Sequence, residues 1–131
     1  MMRVAALLTA VALALPFTGQ SGHAQEQAKQ GETAKPGTAA VLRALDKVNG
    51  HTIDAEVAVG DKAAMFGLLV SVRDCRYPAD NPTGDAYAFL SVHDPEDGTS
   101  HFEGWMIASS PALNALDHSR YDVWVIRCNN S

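Results

Sequence analysis

The sequence is poor in cysteine, in aromatic residues and in basic charge, and each shortage excludes a class of protein. Aromatic side chains make up 7% of the 131 residues, and two cysteines are present. Ten lysines and arginines stand against 15 aspartates and glutamates, which gives a net charge of −5. Because nucleic acids and anionic lipids are bound by basic surfaces, this balance argues against both as main partners.

Sequence motifs of the common enzyme and cofactor classes are also missing. No serine lies in a G-x-S-x-G elbow, no glycine-rich phosphate loop occurs, and neither cysteine has C-x-x-C or Cys/His zinc spacing. The sequence therefore predicts no catalytic residue and no cofactor, and it favours a non-enzymatic role.

Long apolar runs are absent except at the N-terminus. A basic start ending at Arg3 precedes the apolar residues 4–17, and a small, polar stretch ending at Ala24 follows. This order is typical of a secretory signal peptide cleaved before Gln25; the alternative, a membrane anchor, needs about 20 apolar residues rather than 14. We expect residues 1–24 to be a signal peptide, the protein to be periplasmic, and no membrane anchor to remain after cleavage.

The rest of the chain divides into a polar leader and one domain. Residues 25–38 have no large apolar side chain, which predicts a disordered or loosely ordered leader. Residues 39–130 alternate apolar stretches with turns, as short antiparallel strands do. Among the turns, Asn49-Gly50 is a strong hairpin signal, and it predicts a two-residue turn with φ above zero at both positions.

This pattern predicts an all-β domain of about six antiparallel strands, either a small barrel or a sandwich. Residues 64–73 are predicted to form one of these strands, because apolar side chains alternate along them. Residues 110–116 begin with Ser-Pro, an N-cap followed by a favoured first helical residue, and they predict one short helix before the last strand.

Cys75 and Cys128 form an even pair in a small domain that we expect to be exported. In an oxidising compartment such a pair predicts a disulfide. Two free thiols or a metal-binding pair are the alternatives.

Four stretches of the sequence resemble a bacterial family of unknown function. They are VLRALDKVNG at residues 41–50, AYAFL at 86–90, GWMIASSPALNAL at 104–116 and YDVWV at 121–125. Together they resemble domain-of-unknown-function family 2155, over about residues 39–130. The resemblance implies an exported bacterial envelope protein, and it implies no activity.

Two histidines and a carboxylate could form a metal site. His93 ends one predicted strand, and His101 and Glu103 begin the next. If the polar loop between the strands closes a hairpin, both imidazoles lie at one end of the sheet, and with the carboxylate they could hold zinc. The alternative is an ordinary solvated hairpin end. A metal site would make the protein a periplasmic enzyme or metal-dependent protein.

Three strands are apolar on both faces, so something must cover their second faces. From these second faces we single out four residues as a candidate binding surface: Trp105, Tyr87, Phe89 and Ile107. Either the domain covers them itself, by closing over them or with Leu113 and Leu116 of the predicted helix, or part of the surface stays open for a partner. The partner would be another envelope protein or a cell-wall component; an inhibitor of a wall-degrading enzyme is a further alternative.

Overall fold

The computed structural model describes residues 34–81 and 83–130, which form eight antiparallel strands in two sheets. The strands are β1 (Ala34–Pro36), β2 (Ala39–Asp46), β3 (Thr52–Ala58), β4 (Lys62–Met65), β5 (Leu68–Pro78), β6 (Tyr87–His93), β7 (Ser100–Ile107) and β8 (Tyr121–Asn129). The first sheet has five strands. β5 pairs with β6 along one edge and with β1 and β4 along the other, and β6 pairs in turn with β7. The second sheet has the order β3-β2-β8. The predicted all-β class is confirmed, and the fold resembles a sandwich rather than a closed barrel.

Alternate residues of the two sheets fill the space between them. Side chains point to opposite faces of a strand in turn, and β5 shows this before its bulge, with Leu68, Val70 and Val72 buried. The largest fully buried apolar side chains are Leu42, Met65, Leu68, Val70, Val72, Leu90, Val92, Met106, Val123 and Val125. These aliphatic and Met side chains make up most of the core between the sheets.

The predicted disulfide is present and joins the two sheets. Cys75 on β5 and Cys128 on β8 are bonded, with Cα atoms 5.9 Å apart. Both side chains are buried in the core. A β-bulge precedes each cysteine: the pairing skips Arg73 in β5 and Ile126 in β8. Each bulge turns the cysteine to the inner face, where strict alternation would have pointed it outward.

The helix predicted for residues 110–116 does not form, and no helix occurs in the described part of the chain. The segment makes single turns instead, with Leu113 N–H donating to Ser110 O at 3.1 Å. Two turns at most were available, too few to offset the cost of starting a helix. Tertiary contacts fix the segment instead: Asn114 donates to Trp105 O at 2.9 Å, and Leu116 enters the core.

The single strand predicted for residues 64–73 is wrong, because the chain reverses at Phe66-Gly67. Met65 pairs with Leu68, so β4 and β5 form a tight hairpin. Phe66 has φ of 54°, a backbone conformation that is rare for a bulky side chain. Its ring stacks on Tyr121, with centroids 5.7 Å apart. A continuous apolar alternation gave no sign of this turn.

The turn at Asn49-Gly50 exists but is longer than predicted. Residues 47–50 form the loop, which is closed by Asp46 N–H donating to His51 O and by Gly50 N–H donating to Asp46 O, both at 2.8 Å. Gly50 has φ of 75°, whereas φ at Asn49 is not positive. The Asn49 side chain instead accepts a hydrogen bond from His51 N–H at 2.9 Å.

The predicted signal peptide lies outside the described residues, as does most of the predicted leader. The leader's last residues include β1, which pairs with the end of β5, so order in the chain begins before Ala39. In the described part of the chain we find no helix of the length and hydropathy that a membrane crossing requires.

Candidate functional site

The structure brings the four candidate binding residues together on one surface. Tyr87 lies opposite Ile107, and Phe89 opposite Trp105, in the pairing of β6 with β7. The intervening residue Ala88 is buried in the core, so these four side chains share the outer face of the five-stranded sheet. We call this group the aromatic face.

Trp105 is the most exposed member of the aromatic face. It is 41% exposed, whereas Tyr87, Phe89 and Ile107 are half-buried. Its ring meets Phe89 edge to face, with centroids 5.5 Å apart and planes at 84°. The residues expected to cover this face lie elsewhere, since Leu116 is in the core and Leu113 is 74% exposed.

Two ion pairs border the aromatic face, and sequence reasoning missed both. Arg73 on β5 reaches across β6 to Glu103 on β7, with N–O 3.1 Å, and Arg76 pairs with Asp74 at the same distance. Asp74 stands opposite Phe89 in the pairing of β5 with β6. The bulge at Arg73 sets these positions, and no local sequence signal marks it.

The three candidate metal ligands do not come together. His93 contacts Ser91, with Nδ1 3.2 Å from Oγ. Glu103 pairs with Arg73, and His101, at a bulge in β7, packs against His118 instead. Among the described residues, no group of three or more His, Cys, Asp or Glu side chains is placed to hold a metal ion.

His118 forms a cluster with groups from three other parts of the chain. Its ring meets that of His101 edge to face, with centroids 4.7 Å apart, and stacks on Tyr121 at 5.2 Å. Its Nδ1 accepts hydrogen bonds from Arg120 N–H at 3.0 Å and Tyr121 N–H at 3.1 Å. Burial, followed by the charges of His101 and Lys47, holds the pKa of His118 below its ordinary value. Nε2 of His101 is buried and has no hydrogen-bond partner.

A groove of about 370 Å³ lies between β8 and the segment after β7. Its walls are Pro111, Ala112 and Ala115 on one side and Asp122, Val123 and Trp124 on the other. The Asp122 carboxylate accepts a hydrogen bond from the backbone N–H of Val123 at 2.9 Å, so one of its oxygens is bonded to the adjacent backbone. This lining offers apolar contact and no arrangement of catalytic groups.

Comparisons with known proteins place relatives in bacteria. A family profile described as "Uncharacterized protein conserved in bacteria (DUF2155)" matches residues 40–128. The chain is 24% identical over 88 residues to the uncharacterized protein RP359 of Rickettsia prowazekii (strain Madrid E). That match covers 65% of this chain and 57% of the relative, so the chain spans less than two thirds of the relative's length. No solved structure matches.

Proposed function

The chain belongs to the DUF2155 family of bacterial proteins, and we propose that it is an exported, non-enzymatic binding domain of the cell envelope. It docks through the aromatic face to another envelope component. The observation that carries this proposal is the exposure of Trp105 at 41% on a sheet face that Leu113 and Leu116 leave uncovered.

Export is supported by two independent features. The N-terminus has the order of charge, apolar run and small residues that a signal peptidase substrate needs. The disulfide between Cys75 and Cys128 belongs to proteins that fold in oxidising compartments. A periplasmic location accounts for both.

Export is tested by mass spectrometry of the protein from fractionated bacteria. We expect the periplasmic form to begin at Gln25. Ala24→Tyr, which puts a large side chain at the cleavage position, is expected to accumulate the full-length precursor, whereas the control Ala28→Tyr is processed normally. A cytoplasmic protein that retains Met1 or Met2 contradicts the proposal.

Binding through the aromatic face is supported by the composition of that face. Large exposed aromatic side chains with charged neighbours are typical of interaction sites, where Trp and Tyr contribute most of the binding energy. On this face Trp105 is flanked by the ion pair of Arg73 with Glu103. The side chains provide contact area without a nucleophile or a metal centre.

Docking is tested by co-sedimentation of the mature chain, residues 25–131, with purified cell envelopes. We expect the wild-type chain to sediment and Trp105→Ala to remain in the supernatant. Trp124→Phe is the matched control, since Trp124 lies on β8 in the other sheet. Equal sedimentation of Trp105→Ala and the wild type would remove the aromatic face as the docking site.

A further inference from the structure

We propose that the aromatic face binds a neutral, extended glycan chain, such as the β-1,4-linked amino-sugar backbone of a bacterial cell wall. This inference rests on the proposed function, because it names the ligand of the same face. It follows from the narrow shape of the face, the charges beside it and the exposed ring of Trp105.

The accessible apolar surface of the face is a narrow strip. Trp105 is the one strongly exposed member, and the other three side chains are half-buried. A stable protein complex buries about 800 Å² of polar and apolar surface on each partner, so a protein would have to cover much more than this strip of two residue pairs. Side chains two positions apart on a strand are about 7 Å apart, so the strip suits a narrow, chain-like ligand.

Residues 25–33, which precede the described part of the chain, have no large apolar side chain to place on the face. Residues 25–33 read QEQAKQGET, with no aromatic residue and no Val, Ile, Leu or Met. Since these residues have little apolar surface to bury, they do not suit an apolar face, and we assign the face to a separate ligand.

The two guanidinium groups beside the face are paired with carboxylates, and one further carboxylate, that of Asp85, forms a hydrogen bond with the Tyr87 side chain. The guanidinium groups of Arg73 and Arg76 are each 3.1 Å from a carboxylate, those of Glu103 and Asp74. A face whose neighbouring arginines are both paired, with an additional carboxylate at its edge, has no long-range attraction for a polyanion. It does present donors and acceptors close to an aromatic ring, the combination that a neutral ligand rich in hydroxyl groups requires.

Aromatic rings provide the remaining attraction. The face of an aromatic ring is negative, so it attracts the weakly positive C–H groups on one side of a sugar ring. Trp105 supplies the largest such ring, and Phe89 fixes its position by edge-to-face contact at 5.5 Å. The hydroxyl and amide groups of the sugar are then left to the ion-paired side chains at the border.

Nuclear magnetic resonance of the wild-type mature chain tests this inference without any mutation. The two tryptophans, Trp105 and Trp124, give two indole N–H signals, one on each sheet. On titration with the β-1,4-linked hexasaccharide of N-acetylglucosamine, we expect a saturable shift of the Trp105 signal and none of the Trp124 signal. Trp105→Ala is expected to weaken binding about tenfold or more, as the loss of one stacked ring does.

The two proposals fail separately. No shift of the Trp105 signal at millimolar hexasaccharide, or binding that Trp105→Ala retains, overturns the glycan inference. If protease treatment of the envelopes abolishes sedimentation that depends on Trp105, the ligand is a protein; the glycan inference is then wrong and the proposed function stands. If Trp105→Ala sediments like the wild type, the docking face itself is wrong.

Discussion

Nδ1 of His118 accepts hydrogen bonds from two backbone amides, which holds the ring in its neutral form. Protonation of Nδ1 would break both bonds, to Arg120 and to Tyr121. It would also place a second charge beside Lys47 and next to His101, although Asp94 and Asp117 act in the opposite direction. The backbone just before β8 is therefore tied to the protonation state of one ring.

Acidification is expected to destabilise the domain through His118. Its folded-state pKa is lowered, so the unfolded chain binds the proton more tightly. The stabilisation is complete above the unfolded pKa of about 6.5 and is lost as the pH falls from there through the folded-state pKa. His118→Asn keeps an acceptor oxygen for the two amides and does not titrate. We expect urea denaturation to show a smaller loss of stability between about pH 7 and pH 5 in this variant than in the wild type.

The exposed His51 provides the control for this measurement. His51→Asn is expected to keep the pH dependence of the wild type. A wild-type slope in His118→Asn would show that other groups cause the acid sensitivity.

Trp105 and Leu90 contrast a surface ring with a core side chain. Trp105→Ala removes a ring that is 41% exposed and leaves no enclosed cavity, so the cost is the transfer term alone, about 2 kcal/mol. Leu90 is fully buried, and Leu90→Ala adds a cavity term, for about 2–5 kcal/mol in all. We expect Trp105→Ala to be the milder change in urea unfolding, although it removes the larger side chain. A loss of about 3–5 kcal/mol with Trp105→Ala would identify it as a core residue.

At the level of the elements, the hairpin of β2 and β3 depends on the backbone of Gly50. A Cβ atom there meets nothing within 4 Å, so a substitution costs only the strain of φ at 75°. Gly50→Ala is expected to lose about 1–2 kcal/mol, whereas Gly50→Asn, which tolerates this conformation, loses less. Thermal unfolding of the two variants measures the difference. Equal melting temperatures for Ala and Asn would contradict this conformation at Gly50.

The strands could be predicted from sequence, but the bulges could not. The alternation of apolar side chains predicts strands at residues 51–59 and 86–93, and β3 and β6 lie within about one residue of these bounds. A bulge adds one residue to a strand without requiring any particular side chain. The bulges at Arg73, Ile126 and His101 could therefore not be predicted from the sequence. Strict alternation put Cys128 on the same face as Trp124, and the bulge at Ile126 is what returns it to the core.

The candidate site divides in the same way. Tyr87, Phe89, Trp105 and Ile107 could be grouped from sequence because neighbouring strands of a hairpin share faces. The contact of His101 with His118 could not, because it depends on a bulge and on a segment predicted to be helical. The ion pair of Arg73 with Glu103 spans two strand pairings, which local patterns do not specify.

At the scale of the whole molecule, the disulfide links two sheets that lie on opposite sides of one core. β5 belongs to the five-stranded sheet and β8 to the three-stranded sheet. Gly37, just after β1, lies against the same link: its N–H donates to Cys75 O at 2.7 Å, and a Cβ atom on it would lie 3.0 Å from Cys128 Cβ. The disulfide and the backbone segment from β1 to β2 therefore connect the two sheets at the same place.

Loss of this bond is expected to weaken the whole domain, because the bond closes a loop between residues 53 positions apart. Chain entropy assigns such a loop about 4 kcal/mol, and loss of a native disulfide from a small exported domain costs about 2–5 kcal/mol. A domain of this size has about 5–15 kcal/mol of net stability. Cys75→Ser with Cys128→Ser avoids a lone thiol, and its urea midpoint measures the loss.

In the unfolded wild type we expect thiol labelling to find no free cysteine before reduction and two after it. Two labelled cysteines before reduction, or an unchanged midpoint in the double variant, would show that the sheets are held together by packing alone.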